Sequence, residues 1–345
     1  MRPDLLVVSL GTTRGLRVAD AAFVDQVRAA GASAEAVAVR IGALDRLRRG
    51  YPANDLVEAA AARRALRDCL RQAPRAVVFS TVTASMLAPR LELPSAIRLD
   101  SPARLNRPGA RNAVLHGLER HALGRARLVL PWSRAALAAL PGGESRTVVL
   151  PPPILPSGPT GEPRQRLAVA YVPDPKAKGL SLLCAAWERA AIPDARLAVF
   201  GLERERAARH LARFGPAEPA GIEWRGQAPA AEFRAALRRC RVFVHSALWE
   251  DFGQAPLEAL ADGALLATVA SGGAYEALAM ARELAPELVA PDLEPDSLTA
   301  SLRAAFALDA VDAYRDRAAA LLAQYRPEAL EETVRERVLP VLLGT

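Results

Sequence analysis

The sequence has few aromatic residues, few cysteines and no long hydrophobic run. Aromatic residues make up 5% of the 345 positions, so we expect a core of aliphatic side chains, because hydrophobic residues reach 51%. No apolar run approaches the roughly 20 residues that a transmembrane helix needs. The cysteines Cys69, Cys184 and Cys240 are far apart in apolar segments, which suits buried thiols better than disulfides or a metal site. Because no signal peptide is recognised either, we expect a cytoplasmic location.

Lysine is scarce although the chain is basic. The net charge is +7, yet Lys176 and Lys178 are the only lysines and lie in one loop. Arginine is spread along the chain without a dense basic block or interleaved aromatic residues, so nucleic-acid binding is not expected. The charge instead suggests an anionic substrate, or peripheral contact with an anionic surface such as the inner membrane.

Short strand-like runs alternate with longer amphipathic stretches in both halves of the chain. This alternation is typical of a parallel sheet covered by helices on both faces. Residues 151–166 are rich in proline and then polar, which fits neither helix nor strand, and we place a linker there. The sequence therefore predicts an α/β fold with two Rossmann-like, doubly wound domains, residues 1–150 and 167–308. We expect helices in residues 309–345 to pack back on the first domain.

Ligands of such sheets bind outside the carboxyl ends of the strands, so loops that follow strands are the candidate sites. The most specific pattern has Glu250 and Glu258 separated by seven residues, after a strand at 242–245. Gly253 lets backbone N–H groups turn toward a ligand, and the positive end of the next helix favours anions. One carboxylate can then bind sugar hydroxyls and the other a ribose diol. The alternative is an ordinary acid in the first turn of a helix at Glu258, with Glu250 as a solvated loop residue.

The segment 246–260 resembles the Glu-x7-Glu motif of the retaining family-4 glycosyltransferases, the glycosyl transferases group 1. Three further segments and the Lys-Gly loop resemble family motifs in the same order: Lys178-Gly179, Val199-Phe200-Gly201, Trp224-Arg225-Gly226 and Ser271-Gly272-Gly273. The resemblance covers roughly residues 167–290 and is much vaguer before them. It implies the GT-B fold, with two Rossmann-like domains facing across a cleft. The implied activity moves a hexose from a nucleoside-diphosphate sugar to a hydroxyl acceptor, with retention of configuration.

The resemblance also implies roles for the acids and lysines. Lys178 would contact the donor diphosphate and stabilise the charge that the leaving group gains. Glu250 would hold the hydroxyls of the donor sugar, and Glu258 would accept hydrogen bonds from the ribose. No metal ion or other cofactor is implied, because Lys176, Lys178 and helix N-termini would take that role.

Backbone groups complete the predicted donor site. The N–H groups of Phe252, Gly253 and Gln254 would lie near the sugar and phosphates, and the turn at Gly226 would lie beside the donor base. In the first domain, Gly11 and Thr12 follow the first strand, and in the resembled family this loop meets donor and acceptor.

The sequence departs from the family pattern at two places. The family usually has a Gly-Arg turn before the Lys-Gly pair, whereas residues 171–176 contain Asp174 and end in Lys176. Either Lys176 supplies the second cation, or Asp174 weakens the phosphate site. The family's acceptor-facing His is also missing, which leaves Arg98 or Asp100 as candidates for that role.

Other side chains have an ordinary structural interpretation. Thr81, Thr83 and Ser85 suit helix capping better than acceptor binding, and His245 suits a satisfied core residue. Three alternatives to a transferase stay open: a protein that only binds a sugar nucleotide or a partner protein, another GT-B enzyme such as a phosphorylase or epimerase, and a nicotinamide oxidoreductase. The last is disfavoured because the glycine fingerprint of dinucleotide sites is incomplete after residues 10 and 171.

Overall fold

The computed structural model describes residues 2–50, 52–140, 146–159 and 164–344. Residues 160–163 of the predicted linker therefore lie outside the described residues. The chain divides into two compact units. Unit 1 consists of Met1–Pro153 and Tyr325–Thr345, and unit 2 of Ile154–Gln324.

Unit 1 contains a five-stranded parallel sheet. Its strands are β1 (Leu5–Ser9), β2 (Ala34–Ala38), β3 (Ala76–Phe79), β4 (Ser95–Leu99) and β5 (Leu128–Pro131). Its helices before residue 154 are α1 (Arg14–Ala29), α2 (Ala53–Cys69), α3 (Val82–Ser85), α4 (Ala103–Asn106), α5 (Ala113–Arg125) and α6 (Arg134–Ala138). The sheet order is β2-β1-β3-β4-β5, so the chain reverses its winding direction between β1 and β3.

Alternation along β1 shows why this sheet is covered on both faces. Leu5 and Val7 belong to one hydrophobic cluster, and Leu6 and Val8 belong to another. Successive strand residues point to opposite faces, so a continuous apolar run needs helices on each side.

Unit 2 contains a six-stranded parallel sheet. Its strands are β6 (Gln165–Tyr171), β7 (Arg196–Phe200), β8 (Ile222–Gly226), β9 (Cys240–His245), β10 (Leu265–Val269) and β11 (Val289–Ala290). Its helices are α7 (Leu180–Ala190), α8 (Arg204–Phe214), α9 (Ala230–Arg239), α10 (Gln254–Ala261), α11 (Glu276–Leu284), α12 (Pro295–Ala307) and α13 (Val311–Leu321). The order β11-β10-β9-β6-β7-β8 places the first strand of the unit in the middle. The winding direction therefore reverses between β6 and β9, where doubly wound sheets bind ligands.

The C-terminal residues return to unit 1. They form α14 (Pro327–Thr333), a π-helical turn at Val334–Val338 and α15 (Leu339–Leu343). Leu330, Val334 and Leu342 join the cluster that contains Leu5 and Val7. In contrast, α13 packs in unit 2, where the Tyr314 hydroxyl accepts a hydrogen bond from Leu266 N at 3.2 Å. The segment that the sequence analysis took as one C-terminal unit, 309–345, thus divides between Gln324 and Tyr325.

The predicted α/β class with two doubly wound parallel sheets is confirmed. Residues 147–150 do not form a strand and pair with β5 through a single bridge between Val129 and Thr147. The chain continues beside β5, since Leu150 N donates to Pro131 O at 2.9 Å, but the next three residues are prolines and cannot donate to a ladder. Among the described helices, none is long and apolar enough to cross a membrane.

Candidate functional site

The loops that follow β6 and β9 meet at the point where the winding of unit 2 reverses. Lys178 follows β6 and Glu250 follows β9. The Lys178 Nζ lies 2.6 Å from the Glu250 Oε2, and the two side chains are 23% and 14% exposed. The structure therefore brings together the cation and the acid that the sequence analysis placed in one site.

Backbone contacts join these two loops so closely that one position requires glycine. Gly179 has φ of +64°, and a Cβ there would lie 2.1 Å from the Ser246 carbonyl oxygen. The Ser246 hydroxyl donates to the Lys178 carbonyl at 2.9 Å, and Leu248 N donates to the Ala177 carbonyl at 3.1 Å. The Lys-Gly pair is thus explained by packing as well as by chemistry: the glycine admits the neighbouring loop, and that loop positions the lysine.

The loop after β10 holds Glu250 from the other side. Glu250 N donates to the Gly272 carbonyl at 3.0 Å, and the Ser271 hydroxyl donates to the Ala247 carbonyl at 2.6 Å. Glu276 N, at the start of α11, donates to the Phe252 carbonyl at 3.1 Å. Three loops from neighbouring strands therefore fix the backbone around Glu250.

His245 belongs to the same cluster of side chains, which the sequence analysis missed. It is the last residue of β9, is 5% exposed, and its Nε2 lies 3.3 Å from the Glu250 Oε2. Its ring packs on Tyr275 at 4.8 Å between centroids, and the Tyr275 hydroxyl lies 3.0 Å from the Thr268 hydroxyl. Burial, and then the charge of Lys178, lower the pKa of His245 well below its usual value, so the imidazole is neutral. The sequence signal that could have found it is the position of His245 at the end of β9, five residues before Glu250.

The start of α10 supplies backbone donors next to Glu250. Gly253 caps this helix with φ of +86°, and a Cβ there would lie 2.8 Å from the Tyr275 ring. The first N–H groups of a helix have no partner within it, and the helix dipole makes this end attractive to anions. Gln254 is the first helical residue, whereas the Phe252 side chain is buried, so Phe252 offers backbone groups only.

Glu258 lies in the second turn of α10, and the sequence expectation of a first-turn position is wrong. The reason is that the helix begins at Gln254, after the glycine turn. The Gln254 side chain donates to Glu258 at 3.1 Å, and Arg234 Nη1 lies 3.7 Å from the Glu258 carboxylate. Arg234 also pairs with the buried Asp262 at 2.6 Å. A diol that binds Glu258 would therefore share it with an arginine.

The departure before the Lys-Gly pair has a local structural role. The Asp174 Oδ1 accepts hydrogen bonds from Lys176 N at 2.9 Å and from Ala177 N at 2.8 Å. The carboxylate therefore forms the turn that leads into Lys178, and Lys176 itself is exposed. Gly226 ends β8 at the edge of the sheet, with β7 between it and the β6 loop.

The remaining predicted site residues belong to unit 1. Gly11 and Thr12 follow β1 at the reversal point of that sheet, where Leu10 N donates to the Ser80 hydroxyl at 3.1 Å. Asp100 follows β4, and its carboxylate accepts a hydrogen bond from Ser101 N at 2.8 Å. Thr81 is the N-cap of α3, because its hydroxyl accepts a hydrogen bond from Ala84 N at 3.1 Å, as a capping role requires.

Arg98 is a core residue, so its candidacy for acceptor binding is wrong. Its side chain is 1% exposed and pairs with the buried Asp20 at 2.8 Å. The guanidinium lies over the Phe23 ring, 4.5 Å from the centroid, and 5.5 Å from the ring of Trp132. The physical reason is strand alternation, which directs Arg98 beneath α1, where Asp20 neutralises it.

Comparison with known proteins agrees with this geometry. Residues 164–307 match the family model described as Glycosyl transferases group 1, which confirms the resemblance to that group. The comparison with curated proteins finds no match. The match of unit 2 to this family supports sugar transfer.

Solved structures show that the fold is that of GT-B glycosyltransferases. Sucrose-phosphate synthase from Thermosynechococcus elongatus is similar with a TM-score of 0.75 and 16% identity, over 100% of both chains. WaaG, a glycosyltransferase involved in lipopolysaccharide biosynthesis, has a TM-score of 0.67 and 15% identity, over 99% of this chain and 100% of its own. HepE from Anabaena, solved in complex with UDP and glucose, has a TM-score of 0.65 and 15% identity, over 97% of this chain and 98% of its own.

Proposed function

We propose that the protein is a retaining glycosyltransferase that moves a hexose from a nucleoside-diphosphate sugar to a hydroxyl acceptor. The observation that carries this proposal is the 2.6 Å contact between Lys178 and Glu250, beside the start of α10 and at the reversal of winding in unit 2. The family match over residues 164–307 supports sugar transfer. The UDP and glucose bound to HepE support a nucleoside-diphosphate sugar as donor.

Lys178 and the start of α10 suit the donor diphosphate. An ammonium group has three donors, so Lys178 can keep one hydrogen bond to Glu250 and direct others at a phosphate oxygen. The diphosphate gains negative charge as the glycosidic bond breaks. A fixed cation and unpaired helix N–H groups stabilise that charge without reorganising during the reaction. Lys176, two residues earlier and exposed, is the proposed second cation.

Glu250 suits the hydroxyls of the donor sugar. Its Oε2 accepts a hydrogen bond from Lys178 at 2.6 Å, which fixes the orientation of the carboxylate, and lies 3.3 Å from His245 Nε2. The Oε1 then remains available to accept from a sugar hydroxyl. Glu258, on the next turn of α10, would accept from the ribose, with Arg234 nearby. Gly226 would lie beside the base.

The transfer itself needs no dedicated protein base. The bond between the anomeric carbon and the phosphate oxygen breaks, and the acceptor oxygen forms the new bond on the same face. The departing phosphate oxygen takes the acceptor proton. We propose that no metal ion takes part, and that Gly11, Thr12 and Asp100 of unit 1 line the acceptor side. Cytoplasmic location and peripheral contact with an anionic membrane belong to the same proposal.

A thermal-shift screen of nucleoside-diphosphate sugars tests the donor assignment. A ligand that binds the folded state raises the melting temperature by mass action. At a ligand concentration of 100 times the Kd, the folded state gains about 2.7 kcal/mol of stability. We expect one donor class to stabilise the wild type and to stabilise Lys178→Gln much less. If donors that differ in base and sugar all leave the melting temperature unchanged, the assignment is wrong.

A second candidate function is a sugar-nucleotide-binding protein without transferase activity. It is favoured by the turn at residues 171–176, which has Pro173 and Asp174 where the resembled enzymes have a Gly-Arg turn. Incubation with the stabilising donor and a panel of acceptors separates the two functions. Release of free nucleoside diphosphate together with a glycosylated acceptor supports the transferase, whereas stabilisation without release supports the binding protein.

A further inference from the structure

The positive charge of the chain is concentrated in unit 1. Unit 1 contains 26 lysines and arginines against 16 aspartates and glutamates, whereas unit 2 contains 19 against 22. The proposed donor site therefore lies in the unit with the slightly acidic composition. The basic charge of unit 1 needs a separate explanation.

Several of these arginines lie within three residues before a strand. Arg2 precedes β1, Arg75 precedes β3, and Arg125 and Arg127 precede β5. Because the strands of unit 1 are parallel, residues that precede them line up at the amino-terminal edge of the sheet, opposite the edge that carries the loops after the strands. Together with Arg146, they line a groove of about 760 Å³ at this edge, which we call the arginine groove.

Backbone carbonyl groups hold most of these guanidinium groups in place. Arg75 donates to the Leu343 carbonyl at 2.8 Å, Arg125 to the Ala88 carbonyl at 3.3 Å, and Arg146 to the Ala126 carbonyl at 3.1 Å. Arg2 donates to the Ala73 carbonyl. A carbonyl oxygen orients a guanidinium but does not cancel its charge. The groove is therefore preorganised and remains positively charged.

Acidic side chains compensate little of this charge. Asp4 pairs with Arg75 at 3.0 Å, and Glu92 is the one acid among the described residues that line the groove. Arg127 is exposed, and no acidic side chain among the described residues pairs with it. The field in the groove therefore attracts anions.

We propose that the arginine groove is a second ligand site, which binds a phosphate group of a small molecule or of a lipid headgroup. Guanidinium groups bind phosphate oxygens in a bidentate manner, and several fixed arginines match a multiply charged phosphate. The volume lies within the range of roughly 300–1,000 Å³ that small-molecule sites occupy. Leu93, Pro94 and Val341 supply an apolar side to the groove, which suits the non-phosphate part of the ligand.

The test uses the full chain and inorganic pyrophosphate as the probe, with binding measured by calorimetry. Lys178→Gln is the starting protein, because it removes the expected pyrophosphate contact in unit 2. Arg2→Gln with Arg127→Gln changes the groove, and Arg63→Gln with Arg64→Gln is the matched control, since these are exposed arginines of α2 in the same unit. We expect the groove variant to raise the pyrophosphate Kd about tenfold or more and the control less than twofold.

Vesicles distinguish the two sources of the phosphate. Cosedimentation with phosphatidylcholine vesicles, with and without phosphatidylglycerol, is measured for the same variants. Pyrophosphate binding that depends on Arg127 indicates a free phosphate compound, and Arg127-dependent binding to phosphatidylglycerol vesicles alone indicates a lipid headgroup. The proposal is overturned if the groove variant and the α2 control behave alike with both probes.

Two further measurements keep the result interpretable. Melting temperatures show whether each variant is folded, and Arg127→Glu alone, which changes one exposed side chain, repeats the test if the double variant is destabilised. This inference does not rest on the proposed donor site. Failure of every nucleoside-diphosphate sugar to bind would leave the arginine groove standing, whereas a Lys178→Gln protein that binds neither pyrophosphate nor phosphatidylglycerol vesicles would overturn the groove.

Discussion

Replacement of Lys178 by glutamine should lower the turnover number roughly 100-fold. At about 4 Å from a phosphate charge, a cation contributes about 4 kcal/mol when the effective dielectric constant is about 20. Lys178 is 23% exposed, so solvent screens part of this interaction, and we take about 3 kcal/mol as the loss. Since each 1.4 kcal/mol is about a factor of ten in rate, the expected fall in kcat is about two orders of magnitude.

Glu250 adds a second effect to the same variant. The Glu250 carboxylate is 14% exposed in the wild type, and loss of Lys178 leaves it beside the neutral His245 at 3.3 Å. A poorly compensated carboxylate repels the donor diphosphate and is free to turn away from the sugar. Lys178 and Glu250 should therefore act as a unit, and Lys178→Gln combined with Glu250→Gln should lose about as much as either single variant.

Initial rates of nucleoside-diphosphate release, with donor concentration varied, measure these effects. Arg189→Gln is the matched control, because it removes one positive charge from an exposed ion pair with Asp296 in the same unit. Surface pairs of this kind contribute about 0–1 kcal/mol, so its kinetics should stay near those of the wild type. The reasoning is refuted if Lys178→Gln keeps kcat within about threefold of the wild type, or if Arg189→Gln loses as much.

Three other variants test different parts of the structure. Glu258→Ala should raise the donor KM more than it lowers kcat, because its role is ribose binding; an equal fall in kcat with unchanged KM contradicts that role. Burial, and then the charge of Lys178, lower the pKa of His245. Below about pH 6.5 the unfolded chain therefore binds a proton at this residue that the folded chain does not bind. The free energy of unfolding should decrease by up to about 1.4 kcal/mol for each unit by which the pH is lowered, until the pKa of the folded state is reached. Urea unfolding between pH 7 and pH 5 should show this decrease in the wild type and not in His245→Gln. An equal decrease in both proteins contradicts a neutral, buried His245. Arg98→Leu should cost about 3–5 kcal/mol in urea unfolding because it leaves the buried Asp20 without its cation, and a loss below about 1 kcal/mol contradicts a core role.

The doubly wound parallel sheets and the contact between Lys178 and Glu250 were predictable because their sequence signals are local. Buried strands such as Leu5–Ser9 are continuous apolar runs, and turns such as Gly253 interrupt them. The Lys-Gly and Glu-x7-Glu motifs follow strands, and parallel strands carry their next loops to one edge. The contact between Lys178 and Glu250 then depends only on β6 and β9 being neighbours, which the usual doubly wound order provides.

Residues whose partners are distant in sequence were harder to assign. Arg98 pairs with Asp20, 78 positions earlier, and no periodic pattern around either residue indicates the other. His245 ends an apolar strand, where core burial and a site role give the same sequence pattern. The two interpretations are distinguished only by Glu250, five residues later, and by the turn that returns its carboxylate to His245. The boundary at Tyr325 was likewise missed, because only a short 3₁₀ turn separates α13 from α14 although their partners lie in different units.

In the parallel sheet of unit 1, the residues that precede the strands also indicate where a binding site can form. Sequence searches for sites concentrate on loops after strands, since catalytic groups gather there. The same geometry gathers whatever precedes the strands at the opposite edge, so Arg75 and Arg127, each one residue before a strand, lie along one groove although 52 positions separate them in the sequence. A single arginine at such a position is an ordinary surface residue. When arginines lie within three residues before β1, β3 and β5, however, the edge carries a row of positive charge, and pyrophosphate binding by the Arg2 and Arg127 variants tests whether that row is a site.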